Sequence, residues 1–327
     1  MKRVAVFFAA VFLLAACGGG SSADTPSSVT LKVGDTGWTR YKAVLDVAGL
    51  GDTPYKVEWS VFSGGDQQLQ ALRSNALDVT TSSEIPPIFV AVGGAPNFKV
   101  VAVQRGSTLQ QELVVGKTSS ITSIAQLKGK KVGYVKNTTA QYFLNELLKQ
   151  SGLKWTDVDA APLLPNDGLA ALNSGAIDAF ASYGNSIISA HQGGAKTIGS
   201  AENILSGNFL WAASDALLAD SAKKAALVDL LSRIDKAYAF VRNGHERQFA
   251  EATANGTHQP VGDALSQIHQ QEQQRPTQLS TTSPDAIASE QRVADSFTEI
   301  NALPKKLDVS AYWTDALNAD LGKALTK

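Results

Sequence analysis

Short apolar runs alternate with amphipathic stretches of helical period from Val29 onward, and near Glu112 the alternation starts again. In the first round Val29–Val33 reads as a strand that ends in Gly34-Asp35-Thr36-Gly37, before a helix from about Trp38 to Ala48. Lys56–Phe62 alternates and gives way to Ser63-Gly64-Gly65 and a helix carrying Leu69 and Leu72. Asp78–Ser82 is a short strand, Glu84–Val92 a helix opened by Pro86-Pro87, and Lys99–Gln104 a further strand. The second round begins with Glu112–Val115, a turn of helix at Ile124–Gln126 and the strand Lys131–Val135. Its helix Thr139–Gln150 sets Phe143, Leu144, Leu147 and Leu148 on one face. Ala160–Leu163, Asp167–Asn173, Ala176–Ser182, Asn185–His191 and Asn208–Ala212 continue the pattern. Such alternation specifies doubly wound α/β layers, and two rounds imply two sheets with a cleft between them. Ligands of such sheets sit outside the carboxyl ends of the strands. From Asp215 the pattern is almost wholly helical, over Asp215–Asn243, Glu246–Ala254, Asp285–Glu299 and Tyr312–Leu321. With no strands of their own, these helices are expected to pack on one of the two sheets.

Within the second round, Leu127–Gln141 reads as an apolar run, Val132 to Val135, followed at once by small polar residues that open a helix. A junction of this kind points free backbone N–H groups and the positive end of the helix dipole at whatever lies beyond the strand. Asn137, Thr138 and Thr139 add side-chain donors or caps there. Taken alone, the junction serves water as well as a ligand, and only its place in the fold decides between them.

The amino terminus carries Lys2 and Arg3 and then no charge from Val4 to Ala16. This run is too short to cross about 30 Å of hydrocarbon at about 1.5 Å per residue, and it ends in small residues, as export signals do. Leu14-Ala15-Ala16-Cys17 resembles the lipobox of bacterial lipoproteins, which implies lipidation of Cys17 and anchorage to a membrane outside the cytoplasm. Cys17 is the only cysteine among 327 residues, so no second thiol is left for catalysis or a metal. Gly18–Ser28 is rich in Gly, Ser and Pro and reads as a flexible tether.

Twenty-nine basic and thirty acidic residues give a net charge of −1, and no basic stripe with interleaved aromatics marks a nucleic-acid surface. His191, His245, His258 and His269 show no metal-ligand spacing, and none is expected beside a strand end with a carboxylate. No Gly-x-Ser-x-Gly elbow or phosphate-loop Gly-Lys-Ser/Thr is present, and no cofactor or metal is implied.

Several segments occur in an order that can be named: Lys56–Phe62 with Gly64-Gly65, Leu69–Asp78, Glu84–Phe89, Leu127–Val132, Ser151–Lys154, Ala170–Asp178 and Gln291–Asp308. Together they resemble the aliphatic sulfonate, taurine and nitrate group of substrate-binding lipoproteins of ABC importers, which share a superfamily with thiamine-pyrimidine precursor binding proteins. The resemblance implies an α/β, two-lobed type II periplasmic binding protein, each lobe a mixed, mainly parallel sheet flanked by helices. The chain would then divide into a signal peptide at 1–17, a tether at 18–28, a first lobe at 29–112 plus 214–327 and a second at 113–213. By the same analogy the crossings fall near Leu113–Gly116 and Leu210–Ala213. It also implies a monomer that binds a small organic anion, an aliphatic or aromatic sulfonate ahead of a pyrimidine precursor of thiamine, and delivers it to a permease and ATPase.

Carried over position by position, the resemblance places the ligand against Asp35, Thr36, Gly37 and Trp38, against Ser82, Ser83 and Glu84, and against Asn137, Thr138 and Thr139. Asn137 stands where the family usually has Gly. Tyr183-Gly184-Asn185 replaces the family's Trp-Asp-Pro, removing one negative charge from the wall. Two readings stand for Glu84, a helix-start carboxylate serving its own dipole or a group facing the cleft. Two stand for Trp38 as well, a core residue or a stacking surface for an apolar or aromatic ligand body. Arg40 and Arg105 are candidate counter-charges, though surface placement is the ordinary fate of a single Arg. Asp78 and Asp178 occur in matching helix-to-strand turns and read as structural. A related synthase of thiamine-pyrimidine chemistry and a ligand-sensing domain are the rival classes; the lipobox and the lack of a His/Cys cluster weigh against the synthase.

Overall fold

The computed structural model describes residues 29–94 and 96–326, so the expected signal peptide, Cys17 and the tether lie outside the described residues. β1 (Thr30–Thr36) buries Leu31 and Val33 completely, two positions that the pleat sends to one face. Then come α1 (Arg40–Val47), β2 (Lys56–Phe62), α2 (Gly65–Arg73), β3 (Val79–Ser83), α3 (Ile85–Val92) and β4 (Phe98–Arg105). A second sheet opens with β5 (Gln111–Val115), β6 (Lys131–Tyr134), α4 (Thr139–Gln150) and β7 (Asp159–Pro162). It is completed by α5 (Pro165–Ser174), β8 (Ala179–Tyr183), α6 (Asn185–Gln192) and β9 (Lys196–Ser200). The chain returns with β10 (Asn208–Ser214), α7 (Asp215–Ala219), α8 (Ser221–Arg242), α9 (Glu246–Thr257) and α10 (Val261–Gln274). β11 (Gln278–Thr281), α11 (Pro284–Glu299) and α12 (Asn318–Leu325) close it.

The strand orders are β11-β4-β10-β3-β1-β2 and β7-β6-β8-β5-β9. Strands laid down by the strand–helix alternation pair in parallel, β1 with β2 and β3, β6 with β7 and β8. The strand that follows each crossing runs antiparallel to both neighbours, β5 between β8 and β9, β10 between β3 and β4. Each lobe is therefore a mixed sheet.

The crossings differ from expectation. Strands run through both expected points, because β5 already belongs to the second sheet at Gln111 and β10 to the first at Asn208. The chain passes between sheets over 106–110 and 201–207 instead. The carboxyl-terminal region also contains a strand, since β11 pairs antiparallel with β4 from Gln278↔Arg105 to Thr281↔Ala102. The expected helix over 215–243 breaks at Asp220, whose carboxylate caps α8 by accepting from the N–H groups of Ala222 and Lys223. The expected helix over 312–321 is a short 3₁₀ turn at Val309–Tyr312 followed, after a gap, by α12.

Asp78 and Asp178 do the same work in both lobes. Asp78 accepts the Lys32 N–H at 2.9 Å while its own N–H donates to the Lys32 carbonyl at 2.9 Å. Asp178 accepts the Lys131 N–H at 2.9 Å and donates to the Lys131 carbonyl at 2.8 Å. Each carboxylate thus ties the start of one strand to the start of its parallel neighbour.

The first sheet is covered on both faces. α1 and α8 enclose Val33, Tyr41, Trp211, Leu227 and Leu230 on one side, and α2, α3 and α11 enclose Leu69, Ile88, Phe98 and Phe297 on the other. In the second lobe Leu113, Val132, Phe143 and Phe180 are completely buried. Burial of each such side chain is worth about 1.5–3 kcal/mol, which holds the two lobes as rigid walls.

Candidate functional site

A cavity of about 560 Å³ lies between the two sheets, outside the carboxyl ends of β1, β3 and β8. The first residues of α1, α2, α4 and α6 line it, namely Arg40, Gly65, Thr139 and Asn185. Two helix starts from each lobe thus turn positive dipole ends toward one volume, although the first N–H groups of α1 are already taken by the Trp38 carbonyl and the Asp35 carboxylate; the arrangement favours an anion.

The first loop contributes Thr36, Gly37 and Trp38. Thr36 is held by Gln68, whose Nε2 donates to its hydroxyl at 2.5 Å while the Gln68 Oε1 accepts from Thr80. Trp38 serves both of its expected readings. It packs on α9, with its ring 6.3 Å from that of Phe249 and so close to Gly256 that a Cβ there would lie 2.3 Å from it. Its remaining surface lines the cavity.

Ser82 and Ser83 also line the cavity, but Glu84 does not. Its carboxylate is 4% exposed and accepts from Ser206 Oγ at 2.6 Å and from Asn208 Nδ2 at 2.8 Å. A buried carboxylate needs donors, and the return crossing supplies them. Burial pushes its pKa up, opposed by the bonds from Ser206, Asn208 and Ser289 and by the nearby Arg292 charge. Glu84 therefore fastens the second crossing to α3.

In the second lobe Thr138 and Thr139 line the cavity. Thr138 is the N-cap of α4; its hydroxyl donates to the Val135 carbonyl at 2.7 Å and accepts from the Ala140 N–H at 3.2 Å. The backbone N–H groups of Thr138 and Thr139 have no acceptor among the described residues. Asn137 faces a neighbouring groove instead, and its N–H donates to Gln141 Oε1 at 2.9 Å. Its φ of +60° explains the exchange with Gly: among residues with a side chain, Asn tolerates the left-handed turn best. α3 offers less than α4, because Pro86 and Pro87 remove two of its first-turn donors.

Tyr183 and Asn185 line the cavity and meet the first lobe across its mouth. A Cβ on Gly64 would lie 3.1 Å from the Tyr183 hydroxyl, and one on Gly37 3.5 Å from the Asn185 amide. Burial pushes the Tyr183 phenol up, so it stays a neutral hydroxyl.

The sequence undervalued Arg40. Its Nη2 donates to the Tyr41 hydroxyl at 3.1 Å and its guanidinium lies 4.8 Å from the centre of the Tyr41 ring. Its Nε is buried without a partner, and no carboxylate forms an ion pair with it among the described residues. Asp35 lies near, but its oxygens accept from the N–H groups of Thr36 at 2.8 Å and Tyr41 at 3.0 Å. Burial raises the Asp35 pKa to about 6, against the pull of Arg40 and those amides. The cavity thus holds a cation that its own carboxylate neutralises only in part. Arg105, the other candidate counter-charge, is exposed at the end of β4 and does not line it.

His191 departs from expectation too. Its Nε2 lies 3.0 Å from Glu112 Oε2 at the start of β5, and that bond raises the His191 pKa. The pair borders a separate groove formed with α10.

Two lobes joined by two crossings, with an anion-directed cavity between them, define the periplasmic binding protein architecture. Residues 56–243 match the family model described as NMT1/THI5 like. The chain is 30% identical over 258 residues to an Escherichia coli (strain K12) protein whose name assigns it to aliphatic sulfonate binding, with 78% of each chain covered. It superposes on the periplasmic aliphatic sulphonate binding protein SsuA from Escherichia coli with a TM-score of 0.74 at 25% identity, over 86% of this chain and 91% of that one. The match to the alkanesulfonate-binding protein SsuA from Xanthomonas axonopodis pv. citri, solved with MOPS bound, has a TM-score of 0.77 at 21% identity, over 87% and 98%. The chain belongs to the NMT1/THI5-like family.

Proposed function

We propose that this chain is the extracytoplasmic solute-binding component of an ABC importer and that its cleft takes a small organic sulfonate. The observation that carries this reading is the convergence on one inter-lobe cavity of four helix starts and of Arg40, whose Nε is buried without a partner. The names of the relatives at 30% and 25% identity supply the sulfonate. Thr36, Gly37, Trp38, Ser82, Ser83, Thr138, Thr139, Tyr183 and Asn185 are the ligand-facing residues of this reading, with Arg40 added. The groups that converge are mainly hydroxyls, amides, helix ends and a guanidinium; Glu272 also lines the cavity but is engaged by Arg242 and Thr277, and His258 stands at the end of α9. The set suits an oxyanion and pairs no hydroxyl with an activating base. The protein acts as a binder: the ligand touches both lobes at once only when they are closed, so its contacts bias the chain toward the shape a permease engages.

Calorimetric titration of the mature chain with ethanesulfonate tests this reading. Binding is expected, and Arg40→Met is expected to weaken it roughly tenfold to hundredfold, the worth of a charge-assisted bond. Absence of binding to any sulfonate would remove the assignment. The protein works as a monomer held to the membrane through lipidated Cys17; Cys17→Ser is expected to shift it to the soluble fraction, and retention in the membrane fraction would contradict the anchor.

A further inference from the structure

Gln68, on the buried face of α2, is completely enclosed and does not line the inter-lobe cavity, yet its amide reaches a residue of the cavity wall. The way this amide is satisfied gives a direction to a chain of hydrogen bonds. The Thr81 N–H, which can only donate, points at Gln68 Oε1 at 3.4 Å, and the Thr80 hydroxyl donates to the same oxygen at 2.5 Å. The amide oxygen is thereby turned to β3 and its nitrogen to β1, where Nε2 donates to the Thr36 hydroxyl at 2.5 Å. β1 makes room for the amide with a glycine: a Cβ on Gly34 would lie 2.7 Å from Gln68 Oε1.

An amide N–H cannot accept, so the Thr36 oxygen is the acceptor in that bond and its own proton points elsewhere. That proton meets no acceptor among the described residues, while Thr36 is half-buried and lines the cavity. Other hydroxyls of the wall have spent theirs. Ser82 donates to the Ser83 carbonyl at 3.0 Å, Thr138 to the Val135 carbonyl at 2.7 Å and Ser186 to the Tyr183 carbonyl at 2.9 Å. A hydroxyl that already accepts is also the better donor, because hydrogen bonds in a chain polarise one another.

We propose that Gln68 is a positioning residue of the binding site: by donating to Thr36 it turns the Thr36 hydroxyl proton into the cavity, so that the end of β1 presents a fixed neutral donor to the bound anion. The inference rests on the oxyanion reading above and adds to it the polarity of one wall position, which offers a proton and so suits an anionic oxygen rather than an ammonium.

Calorimetry with ethanesulfonate at about pH 7.5 tests it, on the native mature chain, Gln68→Glu, Thr36→Val and the double variant. In Gln68→Glu the carboxylate keeps the bonds from Thr80 and Thr81, and its second oxygen draws the Thr36 proton away from the ligand. Thr36→Val keeps the shape and removes the proton, and is expected to raise the Kd about tenfold. Gln68→Glu is expected to raise the Kd about tenfold more in the native background than in the Thr36→Val background. The added charge acts alike in both backgrounds and cancels, so a purely structural or electrostatic role for Gln68 gives the same ratio in both, and that result overturns the inference. Gln68→Met repeats the cycle without a charge: a loss of about threefold in the native background and none beside Thr36→Val is expected. A retained melting transition shows that each variant is folded, and native affinity in Thr36→Val overturns the inference without any Gln68 variant. Failure of the native chain to bind ethanesulfonate or any other sulfonate overturns both this inference and the reading it rests on, whereas binding without coupling overturns this inference alone.

Discussion

Arg40 and Asp35 form a buried, unequal pair at the start of α1, and their chemistry couples ligand binding to pH. The Asp35 pKa is raised from 3.8 to about 6 because burial outweighs the attraction of Arg40 and the amide bonds. Tyr41 and Tyr238, the other titratable neighbours, are held neutral by burial. A raised carboxyl pKa means that the stability this group lends the fold is complete below about 4 and is lost as pH rises through about 6. Below about 6 the carboxyl is protonated and Arg40 stands uncompensated; above it, the carboxylate competes with the ligand. Sulfonate affinity is therefore expected to fall roughly tenfold between pH 5 and pH 7.5. Asp35→Asn should flatten that profile, and an equally steep profile in the variant would show that another group titrates. Little of this was legible beforehand. The resemblance puts Asp35 against the ligand, whereas it is fully buried behind Thr36 and does not line the cavity, and nothing in the sequence says that a lone Arg two residues past Trp38 turns inward.

At the level of elements, the α4 start gives the proposed anion site two backbone N–H groups, of Thr138 and Thr139, that have no acceptor among the described residues. Strand, turn and helix start were all readable from Val132–Val135 and the Asn-Thr-Thr that follows, because a short apolar run and a capping residue are local signals. The division of labour within the turn was not. Thr138 spends its hydroxyl on the backbone, Asn137 supplies the left-handed turn and Thr139 faces the cavity. Thr138→Ala is expected to cost about 1 kcal/mol of stability through loss of the cap and to weaken ligand binding with it. Asn137→Gly should leave both nearly unchanged. If denaturant unfolding and calorimetry show the opposite order, the cap is misassigned. The short strands were the hardest elements to read. β11 is four residues, Gln-Leu-Ser-Thr, with one buried side chain, and only the free edge of β4 makes it a strand.

Taken as a whole, the molecule is two lobes meeting at the cavity mouth through Gly64 with Tyr183 and Gly37 with Asn185. These contacts come from opposite lobes, so a change in the angle between the lobes is expected to make or break them. Gly64 has an extended backbone that any residue can adopt, which separates the fold from the contact. A Cβ on Gly64 would also lie 2.9 Å from Asp66 Oδ1, a side-chain end that can swing aside, so Gly64→Val is expected to cost little stability and to raise the ligand Kd about tenfold by pressing on Tyr183. A variant that binds with native affinity would mean that closure does not pass through this contact. The two-sheet plan was legible because the strand–helix alternation restarts. The crossings were misplaced by several residues because β5 and β10 start directly at the hinge, so no loop composition marks them.

The central claim is that one inter-lobe cavity holds an anion between α4 of the second lobe and Arg40 of the first. A crystal structure of the mature chain grown with benzenesulfonate tests it most directly. The account predicts sulfonate oxygens within hydrogen-bond distance of the Thr139 N–H and the Arg40 guanidinium, with the ring toward Trp38. A sulfonate bound outside this cavity, or seated in it away from both groups, would contradict the claim.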